Sequence, residues 1–145
     1  MLAEYLQPSL SVELGVCGGG GSLHLALGWP RGKVVGVDIA YDHPEHIRAI
    51  QQVCDNFEFW HGDSVANSAE IHNIFGDVDI LFIDTTHTYK QTSLEFQAWY
   101  PYLSDKAVVC LDDLNRPEMG NIWDDLPGNK LRLDKLHDGA EHGGS

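Results

Sequence analysis

Acidic side chains that could bind a metal ion follow two apolar segments of this sequence. Asp84 follows Ile80–Ile83, and the pair Asp112 and Asp113 follows Ala107–Leu111. If these segments are neighbouring parallel strands, their carboxyl ends meet at the edge where open α/β sheets bind ligands. Carboxylates crowded there repel one another, and an all-oxygen Mg²⁺ site would remove that conflict. The alternative is that these acids are solvated and cap the helices that follow.

A histidine next to these acids could take part in proton transfer. His87 lies three residues after Asp84 and could act as a general base at the same edge of the sheet. It could equally be a polar residue that begins the next helix. The other histidines have no zinc-ligand spacing, so we interpret them as surface residues.

A glycine-rich turn between a strand and a helix offers a second site. The segment from Glu13 to Ser22 reads Glu-Leu-Gly-Val-Cys-Gly-Gly-Gly-Gly-Ser, and its glycines would let a ligand approach bare backbone N–H groups. The dinucleotide fingerprint fails because Cys17 occupies its second glycine position after Gly15, which disfavours a nicotinamide-dependent oxidoreductase. The P-loop pattern fails because no Lys-Ser or Lys-Thr follows the glycines. A flexible loop without a ligand is the alternative.

Two further acids follow the second and third apolar segments. Asp38 closes the second, where a carboxylate could accept hydrogen bonds from both ribose hydroxyls of an adenosine-type ligand, because strand two lies beside strand one in this topology. Asp63, in Gly62-Asp63-Ser64, could reach the adenine edge, or Asp63 and Ser64 could simply cap the following helix.

Five short apolar segments predict the strands that position these residues. They are Val12–Cys17, Val34–Ile39, Phe57–Trp60, Ile80–Ile83 and Ala107–Leu111. The second, fourth and fifth are continuously apolar, which is typical of parallel strands covered by helices on both faces. Because helix-like stretches alternate with the strands, we predict an α/β fold with a Rossmann-like, doubly wound, mainly parallel sheet.

Four helices are predicted between the strands. The first is capped by Ser22 and stopped by Gly28, and the others are His43–Cys54, Ser64–Phe75 and Thr88–Tyr100. The last should bury one stripe of side chains. Its members are Leu94, Ala98, Trp99 and Tyr100.

After Leu114 the sequence is polar and rich in helix breakers. We predict a short helix at Asn121–Leu126, a weak strand at Lys130–Leu136 and a mobile tail over 137–145.

Composition indicates one domain over residues 1–145. The 145-residue chain has 43% hydrophobic residues and is long enough to bury a core. Its net charge of −13 disfavours nucleic acid as a partner and suits a cationic or small neutral ligand. The cysteines are odd in number and widely spaced, which indicates reduced thiols. The sequence opens with no signal peptide and has no membrane-length apolar run, so we expect a cytoplasmic protein without a membrane partner.

Taken together, these motifs resemble the class I S-adenosylmethionine-dependent methyltransferases. The segments that carry the resemblance are Val12–Gly15, Val35–Asp38, Gly62–Ser64, Phe82–Tyr89 and Cys110–Asp113. Within the family the match is to the small-molecule O-methyltransferase branch, which includes macrolide-sugar, cephalosporin-pathway and catechol-type enzymes. The resemblance extends from about Val12 to Leu136.

The resemblance implies S-adenosylmethionine and Mg²⁺ as cofactors and a small hydroxylated molecule as methyl acceptor. The cofactor-binding residues would be Glu13, Gly15, Gly18, Gly19, Ser22, Asp38, Asp63 and Asp84. The metal ligands would be Asp84, Asp112 and Asp113, and the catalytic residues Asp84 and His87. His87 occupies the position at which the catechol-type enzymes carry a lysine base.

Three departures from the family pattern bear on function. Asp105-Lys106 stands where the family has Gly-Gly, and the glycine loop is one residue longer before Ser22. The chain also stops where the family would enter its last strand, and it almost lacks the helices ahead of strand one. We therefore expect a fragment, a minimal member or a chain completed by a partner, and an exposed sheet edge would favour a homo-oligomer. The alternative function is a non-catalytic module that binds S-adenosylmethionine or S-adenosylhomocysteine.

Overall fold

Five parallel strands form one sheet in the computed structural model, which describes residues 2–133 of the chain. The strands are β1 (Leu10–Leu14), β2 (Lys33–Asp38), β3 (Phe57–His61), β4 (Val78–Ile83) and β5 (Leu103–Leu111). Their order across the sheet is β3-β2-β1-β4-β5, and each neighbouring pair is parallel. The predicted Rossmann-like, doubly wound sheet is therefore confirmed.

Helices alternate with the strands along the described part of the chain. They are α1 (Leu2–Leu6), α2 (Gly20–Gly28), α3 (Pro44–Val53), α4 (Ser68–Phe75), α5 (Tyr89–Trp99) and α6 (Pro117–Asp125). A 3-10 turn over Tyr100–Tyr102 connects α5 to β5. The short α1 was not predicted. Residues 130–133 form no strand, and the remainder of the segment Lys130–Leu136 and the tail over 137–145 lie outside the described residues.

The predicted cap of α2 is wrong. Gly19, with φ of 84°, occupies the N-cap position, and α2 begins at Gly20, so Ser22 lies buried within the first turn. A left-handed φ favours glycine, so Gly19 rather than Ser22 can occupy the position before the helix. The helix therefore begins two residues before Ser22. The N-cap of α5 is Thr88, whose hydroxyl accepts a hydrogen bond from the N–H of Gln91, so His87 is not the residue that caps this helix.

The predicted buried stripe of α5 is also only partly right. Leu94 and Tyr100 are 43% and 56% exposed, whereas Trp99 is completely buried. The stripe consists of Thr92, Glu95, Phe96 and Trp99. These positions follow the i, i+3, i+4, i+7 spacing of one helix face. The face includes the carboxylate of Glu95, which a search for apolar residues does not find.

Two apolar clusters cover the two faces of the sheet. On one face, residues of β1, β2 and β4 pack against α4 and α5. Leu14 and Ile83, for example, belong to the same apolar cluster as Trp99. On the other face, Val34 of β2 packs with Ile47 of α3 and Ala26 of α2. Because successive strand residues point to opposite faces, burial of both faces explains the continuously apolar strands.

The cysteines and helix lengths agree with the composition. Cys17, Cys54 and Cys110 are all free thiols. Among residues 2–133, no helix has the length and apolar character needed to cross a membrane.

Candidate functional site

A cleft of about 420 Å³ opens at the carboxyl ends of β1, β2 and β4. The sheet register brings these ends together, because Leu14 of β1 lies beside Val37 of β2 and Ile83 of β4. The cleft is lined by Gly15, Cys17, Val37, Asp38, Ile39, Asp63, Ser64, Asp84, Thr85, Thr86, Gln91 and Glu95. The lining thus contains four carboxylates and no lysine or arginine, which gives the cleft a negative field suited to a cationic ligand.

Asp38 lies in the cleft with both carboxylate oxygens oriented by the backbone. Its Oδ2 accepts a hydrogen bond from the N–H of Cys17 at 2.9 Å, and its Oδ1 accepts one from Ala40 at 2.9 Å. Each oxygen retains a second lone pair. The carboxylate is therefore held in place before any ligand binds.

Gly15 brings the first turn against the end of β4. Its φ is +87°, and a Cβ at this position would lie 2.1 Å from the carbonyl oxygen of Asp84. The N–H of Gly15 donates to Val37, and the N–H of Asp84 donates to Leu14. Glycine is therefore required both by the left-handed φ and by the close approach of two backbones.

The other predicted loop glycines, Gly18 and Gly19, face α3 and are not among the residues that line the cleft. A Cβ on Gly19 would lie 2.3 Å from Cδ1 of Ile50, and one on Gly18 would lie 3.4 Å from Nδ1 of His46. Their structural role is to let the turn pack closely on α3.

Glu13 and Ser22 form a buried pair outside the cleft lining. Glu13 lies on the α2 side of the sheet, where its carboxylate accepts a hydrogen bond from the Ser22 hydroxyl. Burial raises the pKa of Glu13 to about 7, with smaller contributions in the same direction from the charges of Asp84 and Asp38, while the bond from Ser22 opposes the shift. Glu13 therefore does not line the cleft, and its link to the cleft residues Asp84 and Asp38 is electrostatic.

Asp63 caps a local turn and also lines the cleft. Its Oδ1 accepts hydrogen bonds from the N–H groups of Val65 and Ala66, so it caps the turn that precedes α4. The same residue lines the cleft. The turn it caps explains why α4 begins at Ser68 rather than at Ser64.

Glu95 is a cleft residue that the sequence analysis missed. It is completely buried on α5, and its carboxylate accepts hydrogen bonds from Ser64 Oγ at 2.5 Å, Thr85 Oγ1 at 2.8 Å and Gln91 Nε2 at 3.0 Å. It thereby connects α5 with the loops that follow β3 and β4. The sequence signal that could have indicated Glu95 is its position on the buried face of α5, one helical turn after Gln91, a residue able to donate a hydrogen bond to it.

The acids after β4 and β5 surround His87. Its Nε2 lies 3.6 Å from Asp84 Oδ1 and 3.7 Å from Asp113 Oδ2. Asp113 also accepts a hydrogen bond at 2.7 Å from Nε of Arg116. Burial raises the pKa of Asp84, as does the charge of Asp112, while His87 offsets part of the shift. The structure thus brings Asp84, His87 and the predicted metal ligands to one edge of the sheet.

Comparison with protein families decides the assignment. A family profile described as a methyltransferase domain matches residues 12–114, which contain all five strands of the described sheet apart from the first two residues of β1. This chain belongs to the methyltransferase-domain family. The resemblance to class I S-adenosylmethionine-dependent methyltransferases is thus confirmed.

Solved structures share the fold of this chain. Cofactor-bound Rv0187 from MTB superposes with a TM-score of 0.73 at 23% identity, covering 88% of this chain and 66% of that one. An O-methyltransferase from Bacillus cereus in complex with SAH gives a TM-score of 0.70 at 22% identity, covering 79% and 54%. The methyltransferase domain described here therefore spans less than two thirds of the length of these neighbours. A search of curated protein sequences finds no match.

The predicted metal ligands of this methyltransferase domain do not converge on one point. Among residues 2–133, His43, Glu45 and His46 are three potential ligands whose atoms all lie within 4.8 Å of one another. This group is not part of the cleft lining. The predicted set of Asp84, Asp112 and Asp113 does not form such a group. Asp84 and Asp112 are close enough to interact, whereas Asp113 is bonded to Arg116.

Proposed function

We propose that this methyltransferase domain binds S-adenosylmethionine in the cleft and transfers its methyl group to an oxygen atom of a small hydroxylated molecule. The observation that carries the proposal is the charge of the cleft, which has four carboxylates and no basic residue in its lining. S-Adenosylmethionine carries a sulfonium cation, so this field favours it over a neutral or anionic cosubstrate.

Asp38 is the proposed ribose ligand. Backbone N–H groups of Cys17 and Ala40 hold its two oxygens, so the carboxylate can accept two ribose hydroxyl groups without reorganising. Gly15, Asp63 and Asp84 line the same cleft and stay proposed cofactor contacts. Glu13, Gly18, Gly19 and Ser22 are proposed to act by shaping the turn rather than by touching the cofactor.

The acceptor oxygen is proposed to bind beside Asp84, Asp112 and His87. In methyl transfer the O–CH₃ bond forms as the S–CH₃ bond breaks, and the hydroxyl proton must be removed. Because the sulfonium already activates the methyl group, holding the acceptor in line supplies much of the rate enhancement. Nε2 of His87 faces two carboxylates and is the proposed proton acceptor, with Asp84 as the second candidate.

Mg²⁺ is proposed as an aid to this step, with Asp84 and Asp112 as ligands. Two carboxylates are sufficient, since protein-bound Mg²⁺ usually keeps several waters and one or two acidic ligands. Asp113 is not included, because its Oδ2 is paired with Arg116 and the three acids do not form one group of ligand atoms. When bound, the ion would contact the acceptor hydroxyl and lower its pKa.

The second candidate is a non-catalytic module that binds S-adenosylmethionine or S-adenosylhomocysteine. It is favoured by the edge position of β5, which pairs only with β4 among the described strands, whereas the resemblance implies a further strand. The predicted homo-oligomer would pair at this edge and stays a prediction.

Calorimetry followed by a transfer assay tests the proposal. Titration with S-adenosylmethionine and S-adenosylhomocysteine measures binding, and a panel of catechols and sugars with Mg²⁺ measures methyl transfer. We expect binding of both ligands and transfer that EDTA reduces. Absence of binding would contradict both candidates, whereas binding without transfer would leave the module.

A matched pair of variants separates the metal from the fold. Asp112→Ala should abolish the Mg²⁺-dependent part of turnover, because it removes one of the two proposed ligands. Asp105→Ala, on the exposed part of β5, should leave turnover unchanged. Full Mg²⁺-dependent activity in Asp112→Ala would contradict the metal role.

A further inference from the structure

The beginning of α3 carries a cluster of metal-ligand side chains that the proposed methyl transfer does not use. Nδ1 of His43 and Nε2 of His46 each lie 3.8 Å from Oε1 of Glu45. One potential ligand atom from each residue lies within 4.8 Å of the others. We propose that His43, Glu45 and His46 bind a divalent transition-metal ion of the Zn²⁺ class.

Local structure holds the three residues on one turn. His43 is the N-cap of α3, and its carbonyl oxygen accepts hydrogen bonds from the N–H groups of His46 and Ile47. Pro44 occupies the first helical turn, where its fixed φ stabilises the helix start. The backbone of the cluster is therefore held by helical hydrogen bonds. Rotation of the side chains alone would bring the three ligand atoms around one ion.

The required movement is confined to the side chains. Zn²⁺ binds imidazole nitrogen at about 2.0 Å and carboxylate oxygen at about 2.1 Å, which places neighbouring ligand atoms of a tetrahedron about 3.3 Å apart. The two contacts with Glu45 are each 3.8 Å. The rings of His43 and His46 are stacked with centroids 5.2 Å apart and an angle of 9° between their planes, so each must rotate to point at one ion. Their side chains are 43% and 55% exposed, and such rotation disturbs little packing.

The types of ligand atom determine which metal ion the cluster should prefer. Two imidazoles and one carboxylate suit Zn²⁺, Co²⁺ or Ni²⁺, whereas Mg²⁺ prefers oxygen ligands alone. Glu45 supplies negative charge, and the chain as a whole carries a net charge of −13, which attracts cations. Water would fill the fourth position.

The two nitrogens of His46 lie on different sides of the ring. Nδ1 lies on the side of Gly18, where a Cβ on that glycine would be 3.4 Å away, and Nε2 lies 3.8 Å from Oε1 of Glu45. The proposed site thus lies between α3 and the glycine turn, outside the cleft lining, and does not depend on the proposed methyl transfer.

Calorimetric titration of the chelator-treated chain with Zn²⁺ tests the site. We expect a saturable site that is weakened at least tenfold by His43→Ala, by His46→Ala and by Glu45→Gln, and that a large excess of Mg²⁺ does not compete for. Because all three side chains are at least two fifths exposed, the variants should keep the far-ultraviolet circular dichroism of the parent.

His24→Ala is the matched control, since His24 is an exposed histidine on α2. It should change Zn²⁺ affinity by less than twofold. In an NMR titration with Zn²⁺, the imidazole resonances of His43 and His46 should shift together at one equivalent. The proposal would be overturned if the His43→Ala/His46→Ala double variant kept the parent affinity for Zn²⁺. It would also be overturned if Mg²⁺ competed equally or if the parent showed no saturable binding of Zn²⁺.

Discussion

Glu95 accepts a hydrogen bond from Ser64 at 2.5 Å and so connects the middle of α5 to the loop after β3. The carboxylate is completely buried and has no lysine or arginine beside it in the cleft lining. Its oxygens instead accept hydrogen bonds from two hydroxyl groups and one amide. This arrangement makes Glu95 the point at which three cleft segments meet.

Glu95→Ala should lower the free energy of unfolding by about 2 to 4 kcal/mol, because it leaves the hydroxyls of Ser64 and Thr85 buried without their partner. Urea denaturation monitored by tryptophan fluorescence measures the change. Glu70→Ala, at an exposed position on α4, should remain within about 0.5 kcal/mol of the parent. Equal effects of the two substitutions would contradict the structural role of Glu95.

The Glu13 carboxyl should make stability depend on pH. Its pKa is about 7 in the folded chain against 4.5 for an exposed glutamate, so between these values the folded state binds more protons than the unfolded state. The free energy of unfolding should therefore fall as pH rises from about 4.5 to about 7, by roughly 3 kcal/mol from this group.

Denaturation of the parent and of Glu13→Gln at pH 5 and pH 8 isolates this effect. The variant should gain stability relative to the parent at the higher pH, because glutamine stays neutral at both values. The cost of its unpaired amide is the same at both and cancels. Glu70→Gln should show no such gain, and a difference that is independent of pH in Glu13→Gln would contradict the raised pKa of Glu13.

Two glycines of the first turn should differ sharply in their tolerance of a methyl group. Gly15→Ala places a Cβ 2.1 Å from the carbonyl oxygen of Asp84 in a left-handed backbone, and we expect it to lower the free energy of unfolding by at least about 3 kcal/mol. Gly20→Ala meets nothing within 4 Å at the start of α2 and should be neutral or slightly stabilising. Thermal denaturation compares them, and similar melting temperatures would contradict the close approach of β1 to β4.

Asp38→Ala should weaken S-adenosylmethionine binding at least about tenfold, because each charge-assisted bond to the ribose contributes on the order of 1.5 to 3 kcal/mol. Asp42→Ala, at an exposed position before α3, is the control and should be close to neutral. Isothermal titration of both variants measures the affinities. Equal effects would mean that the second strand does not hold the ribose.

The five strands along the chain and the acids at their ends could be predicted from the sequence. Apolar segments bounded by turn residues are local signals, and burial on both sheet faces makes them continuous. Asp38 and Asp84 lie in the cleft because each directly follows such a segment, and parallel strands end at one edge.

Tertiary packing alone decided which neighbouring side chains pair. Asp113 bonds to Arg116 rather than joining Asp84 and Asp112, and Glu13 pairs with Ser22 beneath the turn. These pairings depend on backbone positions set by contacts between segments distant along the chain, where hydrogen-bond geometry is decided within a few tenths of an ångström. Sequence spacing specifies which strand end carries an acid, but the direction of each carboxylate follows from the packed fold.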